Sequence, residues 1–236
     1  MTVVAHAPGR VNLIGDHTDH TGGLVLPMAI DLGTTVTGRP TDVPRIVLRS
    51  ASEPEPAVVG LPVAEPAVLQ PAWARYVAGV AAELGTSRGF DGAVDTTLPV
   101  GAGLSSSAAL LVAVALALGA DPAYPTELAL LCKRAEQRAA GVPCGVMDHL
   151  ASAAGREGHA LLIDTASLDV EPVPLPAGAE VVVVDSGEER RLAEAPYAER
   201  RARCESAQAL VGPLRDAPLD AVERIEDPIV RAAGRH

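Results

Sequence analysis

Aromatic side chains are nearly missing from this 236-residue chain: Phe, Trp and Tyr together make up 2% of it. A core must therefore be assembled from Val, Leu, Ile and Ala, within a hydrophobic fraction of 48%. Lysine is scarcer still, with Lys133 the only one. A phosphate loop of the G-x-x-x-x-G-K-[ST] kind needs a lysine after its second glycine, and no lysine follows any Gly-rich turn here, which argues against an ordinary P-loop ATPase. Cysteine is limited to Cys132, Cys144 and Cys204. That odd number, without a C-x-x-C pair, reads as reduced thiols with no zinc site. Basic residues number 19 against 30 acidic ones, for a net charge of −11. This argues against nucleic acid or an anionic membrane as the main partner, although a local pocket can oppose the global sign and hold a nucleotide. The N-terminus has no basic stretch followed by an apolar one. The longest apolar run, Ala108 to Ala120, falls short of the roughly 18 residues of a membrane span. A soluble, cytoplasmic protein is expected.

The length allows one large domain or two small ones. Val3-Val4-Ala5 reads as a short strand ending at Pro8-Gly9, and Leu24 to Thr37 as strands around Pro27. Ile46 and Leu48 alternate with Arg45, Val47 and Arg49, as a strand requires. Residues 51–70, rich in Pro, Glu and Ala, form a surface loop with room for one edge strand. Trp73 to Leu84 has helical spacing, residues 91–98 read as a strand, and Ala108 to Ala120 as a buried helix. Thr126 is the expected N-cap of a helix over 127–140, stopped by Gly141-Val142-Pro143. A further helix starts near Val146, strands cover 161–163 and 181–184, and an arginine-rich helix runs from Arg191 to Leu210. Strands first, then helices interleaved with strands, make the fold class α+β, with a second subdomain beginning near residue 178.

Four segments hold the unusual polar content. In the first, Pro8 to His20, Asp16, His17, Asp19 and His20 crowd two carboxylates and two imidazoles into five residues. Such a cluster suits a metal or the hydroxyls of a sugar, and equally a plain polar turn. The second is the turn Gly101-Ala102-Gly103-Leu104-Ser105-Ser106-Ser107, which opens the apolar helix. Unpaired N–H groups and the helix dipole make such a turn a phosphate cradle, and its serines offer hydroxyl donors or Mg²⁺ ligands; an unliganded cap has the same look. The third is Glu136, whose residue type is usually solvated. The fourth is Gly141 to His149, where Asp148 follows a glycine-rich turn into a helix start, a place the dipole alone favours for a carboxylate.

Taken together, these segments resemble the GHMP small-molecule kinases, and within them the galactokinase family most closely. The family's first motif is similar to Pro8 through Asp19, and its second, P-x-x-x-G-L-x-S-S-A, is matched throughout by Pro99 to Ala108. The family's segment around its catalytic aspartate is similar to GVPCGVMD, Gly141 to Asp148. Trp73, Ala160 to Asp164 and Ala195 to Arg201 extend the likeness, which runs from about Ala5 to the last residue. The resemblance implies a GHMP-kinase-like α+β fold. Residues 1–178 would form an N-terminal domain of ribosomal-protein-S5-like type, and 179–236 the start of a truncated C-terminal domain. It implies a transferase that phosphorylates the C1 hydroxyl of galactose with ATP and Mg²⁺, acting as a monomer at full length. ATP phosphates would lie on Gly101, Ala102, Gly103, Leu104, Ser105, Ser106 and Ser107, with Mg²⁺ on Ser107 and Glu136. Asp148 would accept or orient the C1 hydroxyl proton, with Arg10 stabilising charge on the transferring phosphoryl group. Asp16, His17, Thr18, Asp19 and Tyr197 would bind the remaining sugar hydroxyls.

The chain departs from the pattern in places. Asp16 stands where the family usually carries Glu, a side chain shorter by about 1.5 Å. That leaves room for a kinase of a related sugar. His20 replaces a usual Tyr and His149 a usual Gln. The family's third motif, a G-x-G-F-G-G loop, does not occur in this sequence. A chain lacking it is expected to be a poor kinase, and a non-catalytic sugar- and ATP-binding protein is the alternative. The intact serine turn favours the enzyme.

Overall fold

Pro8-Gly9 does not end the first strand. The computed structural model describes residues 1–99, 101–141, 144–184 and 195–235, with side chains outside that description at 195–198. In it, β1 runs through the Pro-Gly pair from Val3 to Asn12. It pairs antiparallel with β3, Pro27–Thr41, and the register slips between Pro8 and Arg10. A bulge of this kind tolerates a proline that cannot donate to the ladder, and it re-aims the residue that follows. That residue is Arg10, which ends 9% exposed.

Three more strands complete a five-stranded sheet: β4 (Arg45–Ser50), β5 (Ala57–Gly60) and β6 (Gly89–Thr96), in the order β1-β3-β6-β4-β5. All its pairs are antiparallel except β4 with β6. The edge strand expected within 51–70 is β5, and Ile46 and Leu48 are both buried, as their alternation requires. On this sheet lie α1 (Ala74–Leu84), α2 (Ser106–Ala117) and α4 (Met147–Ala154), and α3 (Pro125–Ala140) packs over these three helices. Helix α2 is apolar all round because it is surrounded, by β1 and β3 on one side and by the other three helices elsewhere. Small side chains let the layers close without aromatics: Val36, Val77, Val80, Leu111 and four α2 alanines are buried to the last per cent. Thr126 is not the cap of α3. Pro125 takes the first helical position, where its missing N–H costs nothing, and Tyr124 stands at the cap.

A second, three-stranded antiparallel sheet runs β2 (Leu24–Val25), β7 (His159–Asp164) and β8 (Val170–Pro174). Val25, Leu161 and Ile163 from it pack with Met147 and Leu150 of α4. The strand expected at 181–184 does not form. Among the described residues these valines find no ladder partner and lie exposed, and β-propensity without a neighbouring strand does not make a sheet. The arginine-rich helix is α5, Ala195–Val211, while residues 191–194 lie outside the description. It packs with α6 (Leu219–Glu223) and α7 (Pro228–Arg235) around Ala207, Val222 and Ile225. No helix among the described residues is long and apolar enough to cross a membrane.

Candidate active site

The bulge in β1, the turn before α2 and the first turn of α4 meet at one carboxylate. Arg10 donates from Nε to Asp148 Oδ1 at 2.7 Å, and its Nη2 lies 2.6 Å from the same oxygen. Nη1 of Arg10 donates to the Gly103 carbonyl at 2.7 Å, and its backbone N–H to the Leu104 carbonyl at 3.1 Å. Ser105 Oγ donates to Asp148 Oδ2 at 2.5 Å. One guanidinium thus holds the glycine-serine turn and the carboxylate together. Helix α4 is itself tied to β1, because Ser152 Oγ donates to the Pro8 carbonyl at 2.8 Å.

The turn has the backbone its glycines permit. Gly101 and Gly103 have φ of 81° and 76°, and the side of Gly103 where a Cβ would point is open. Ser105 also adopts the left-handed region, at φ 59°, just before α2. A non-glycine residue held there is strained, and its bond to Asp148 goes with that conformation. The free N–H groups of the first turn of α2 follow directly, at Ser106 and Ser107. Val100 of the Pro99–Ala108 motif, and Val142 and Pro143 of the GVPCGVMD segment, lie outside the described residues.

Glu136 is not the solvated residue its type suggests, since α3 buries it to 7% exposure. Burial alone would push its carboxyl up. Hydrogen bonds with His149, Ser107 and Cys144 outweigh that and hold it below the usual carboxylate range. His149 is wholly buried, and its Nε2 lies 3.0 Å from Glu136 Oε2.

The polar loop between β1 and β2 is held differently. The Thr18 hydroxyl donates to the carbonyls of Gly15 and Leu24, at 3.0 and 2.8 Å, so it is committed to the loop's own shape. Asp16 is exposed and accepts from Asn12 Nδ2 at 2.9 Å. Asp19 Oδ1 lies 3.3 Å from His20 Nδ1, and its carboxylate presses against Gly145, where no Cβ could fit. That contact seats the loop beside the approach to α4, three residues before Asp148. His17, at φ 62°, takes a 2.6 Å bond at Nε2 from Arg200 Nη1 of α5. Partial burial, then the Arg200 and His20 charges, lower its pKa. Arg215 donates to the Gly22 carbonyl at 2.8 Å and to both oxygens of Asp164 at 2.7 Å. The side chain of Tyr197 is outside the description.

The structure therefore brings Arg10, Asp148 and the Gly101–Ser107 turn together, with Ser107 and Glu136 beside them and the 13–23 loop adjoining. Sequence reasoning missed the bond of Ser105 to Asp148, the His149–Glu136–Cys144 cluster, and two arginines that reach the loop, Arg200 of α5 and Arg215 of the turn after it. No local pattern signals these, because each contact joins residues from different elements that only the tertiary fold brings together.

Comparison with known proteins follows the same lines. Residues 1–40 match the galactokinase galactose-binding signature, and residues 74–156 match the GHMP kinases N terminal domain. Curated galactokinases of Chloroflexus aggregans and Homo sapiens are 44% and 39% identical, over 90% and 97% of this chain. The chain belongs to the GHMP kinases. Its span is 56% and 62% of the length of those two relatives. The family fold extends through the whole chain. The crystal structure of Lactococcus lactis galactokinase complexed with galactose superposes with a TM-score of 0.85 at 27% identity, covering 100% of this chain and 66% of that one. Methanococcus jannaschii mevalonate kinase shares the fold alone, at a TM-score of 0.62 and 16% identity.

Proposed function

We propose that this chain carries the sugar-binding and catalytic part of an ATP-dependent galactose kinase acting on the C1 hydroxyl. The observation that supports it is the Arg10–Asp148–Ser105 constellation at the mouth of the turn that opens α2. A carboxylate oxygen accepts about two hydrogen bonds. Oδ1 of Asp148 is filled by Arg10, and Oδ2 has one place left beside Ser105. That place receives one substrate hydroxyl and fixes its direction of attack. Arg10, held by the turn and the carboxylate together, stabilises charge on the phosphoryl group in transfer. The free N–H groups of Ser106 and Ser107 and the dipole of α2 receive the ATP phosphates without a lysine. In this reading residues 1–178 form the working domain, and 179–236 begin a second one whose arginines steady the sugar loop.

Ser107 and Glu136 are fitted to magnesium. They present a hydroxyl and an ionised carboxylate already in contact, both hard oxygen donors. The bound ion would neutralise charge on the phosphates. Asp16, His17, Asp19 and Tyr197 are assigned to the remaining sugar hydroxyls, with Thr18 keeping their loop in shape.

The test is ADP release by the purified protein with MgATP and a panel of aldoses. Galactose-dependent release at the highest kcat/KM of the panel is expected. A different aldose at the head of the panel would reassign the substrate and trace to Asp16. Saturable galactose binding with no ADP release would replace the kinase by a sugar-binding protein.

A further inference from the structure

Glu136 of α3, Cys144 of the segment before α4, and His149 of α4 each offer one ligand atom, all within 4.8 Å of one another. Sequence spacing gave no hint of this, because the three residues come from two helices and the segment between them. His149 is the decisive member. Its ring is fully buried; Nε2 lies 3.0 Å from Glu136 Oε2, and Nδ1 has no hydrogen-bond partner among the described residues. A buried ring nitrogen left without a partner is costly, so the ring is free to turn or bind where a ligand is offered. Cys144 is half-buried and unpaired in any disulfide.

We propose that Glu136, Cys144 and His149 form a site for a zinc ion, distinct in its donors from the magnesium position although it shares Glu136. Imidazole nitrogen, thiolate sulfur and carboxylate oxygen are the donors zinc takes, while magnesium avoids sulfur. Zinc bonds of about 2.0 to 2.3 Å place tetrahedral ligand atoms roughly 3.5 Å apart, so the cluster needs only a small closure. Three protein ligands leave the fourth position open to water. Burial, then the charge of Glu136, push the Cys144 thiol up. The ion must displace its proton, and zinc binding therefore releases acid. Zinc on Glu136 also takes that carboxylate away from magnesium. This last consequence rests on the kinase reading, whereas the binding itself does not.

The test uses the purified, reduced protein and zinc alone, in competition with a chromogenic chelator. One zinc per chain is expected, with affinity reduced by at least about 100-fold in C144S and in H149Q. H6Q, which removes an exposed histidine far from the cluster, should leave it unchanged. Cobalt(II) on the unsubstituted protein should show a thiolate-to-metal charge-transfer band, a readout that depends on no variant's folding. Absence of stoichiometric zinc, equal affinity in C144S and H149Q, or a cobalt spectrum without the sulfur band overturns the proposal. Zinc inhibition of ADP release that excess magnesium relieves tests the shared Glu136, while failure of the kinase reading leaves the titration and the cobalt spectrum intact.

Discussion

In the proposed kinase the two halves of the candidate site, one for the phosphoryl group and one for the sugar, are built on opposite plans. The phosphoryl half is held by short, directed bonds among Arg10, Asp148, Ser105 and the Gly103 and Leu104 carbonyls, all from elements packed on one core. The sugar half is a loop whose inner shape comes from Thr18 and whose outer face is gripped by Arg200 of α5 and Arg215 of the turn that follows it. The first half is complete within residues 1–154. The second borrows its support from beyond residue 195. Changes in the first should therefore act on kcat, and changes in the second on KM.

Asp148→Asn gives the strongest test of that split. It keeps the size of the side chain but puts an amide nitrogen where Arg10 or Ser105 now donates. A fall in kcat on the order of 10²- to 10⁴-fold is expected, with the KM for galactose little changed. A mutant that lost mainly galactose affinity would break the comparison.

Ser105 sharpens it. Ser105→Gly removes the bond to Oδ2 while relaxing the left-handed backbone, and kcat should fall about 10- to 100-fold, the measure of a hydrogen bond to a charged group. Ser105→Ala loses the same bond and keeps the strain, so it should match the glycine variant in kcat. It should also be less stable than that variant by about 1 kcal/mol in denaturant unfolding. Equal stabilities would mean that the turn is not strained at this position.

The first half was also the more legible in the sequence. Motif residues Arg10, Gly101 to Ser107 and Asp148 stand in recognisable local patterns, and the structure brings them to one point. The alternation of Ile46 and Leu48 and the unbroken apolar run of α2 likewise declared their elements. Failures came where the deciding partner is remote. Val181 to Val184 look like a strand, yet a strand needs a neighbour that composition cannot supply. Pro8-Gly9 look like a stop, yet a bulge against β3 absorbs them. Glu136 looks solvated, yet His149 and Ser107 bury it. Arg200 reads as an ordinary helix charge and Arg215 carries no signal, and only the tertiary fold turns them toward the 13–23 loop.

Arg215→Ala tests the borrowed support. It frees Asp164 and the Gly22 carbonyl together. The KM for galactose should rise by less than about tenfold, as befits partly exposed pairs, with kcat nearly unchanged. Asp164, now held well below the ordinary carboxylate range by Arg215 and by the N–H groups of Ala166 and Ser167, would move back toward it. A carboxyl titration followed by NMR reads that shift.

The smallest effect belongs to His17, and its sign follows from its partner. Arg200 donates to Nε2, which requires that nitrogen to be unprotonated. Burial, then the charges of Arg200 and His20, lower the pKa from 6.5, while Asp16 and Asp19 oppose them. The folded protein thus binds this proton less readily than the unfolded chain. The contact's contribution is fully present above pH 6.5 and is lost as pH falls through the lowered folded value. Between pH 7.5 and 5.5 the KM for galactose should rise modestly, and amide exchange in α5 should quicken. His17→Gln keeps an acceptor for Arg200 but cannot titrate, so it should flatten that part of the profile. A profile unchanged by His17→Gln would show that the C-terminal segment steadies the loop through Arg215 alone.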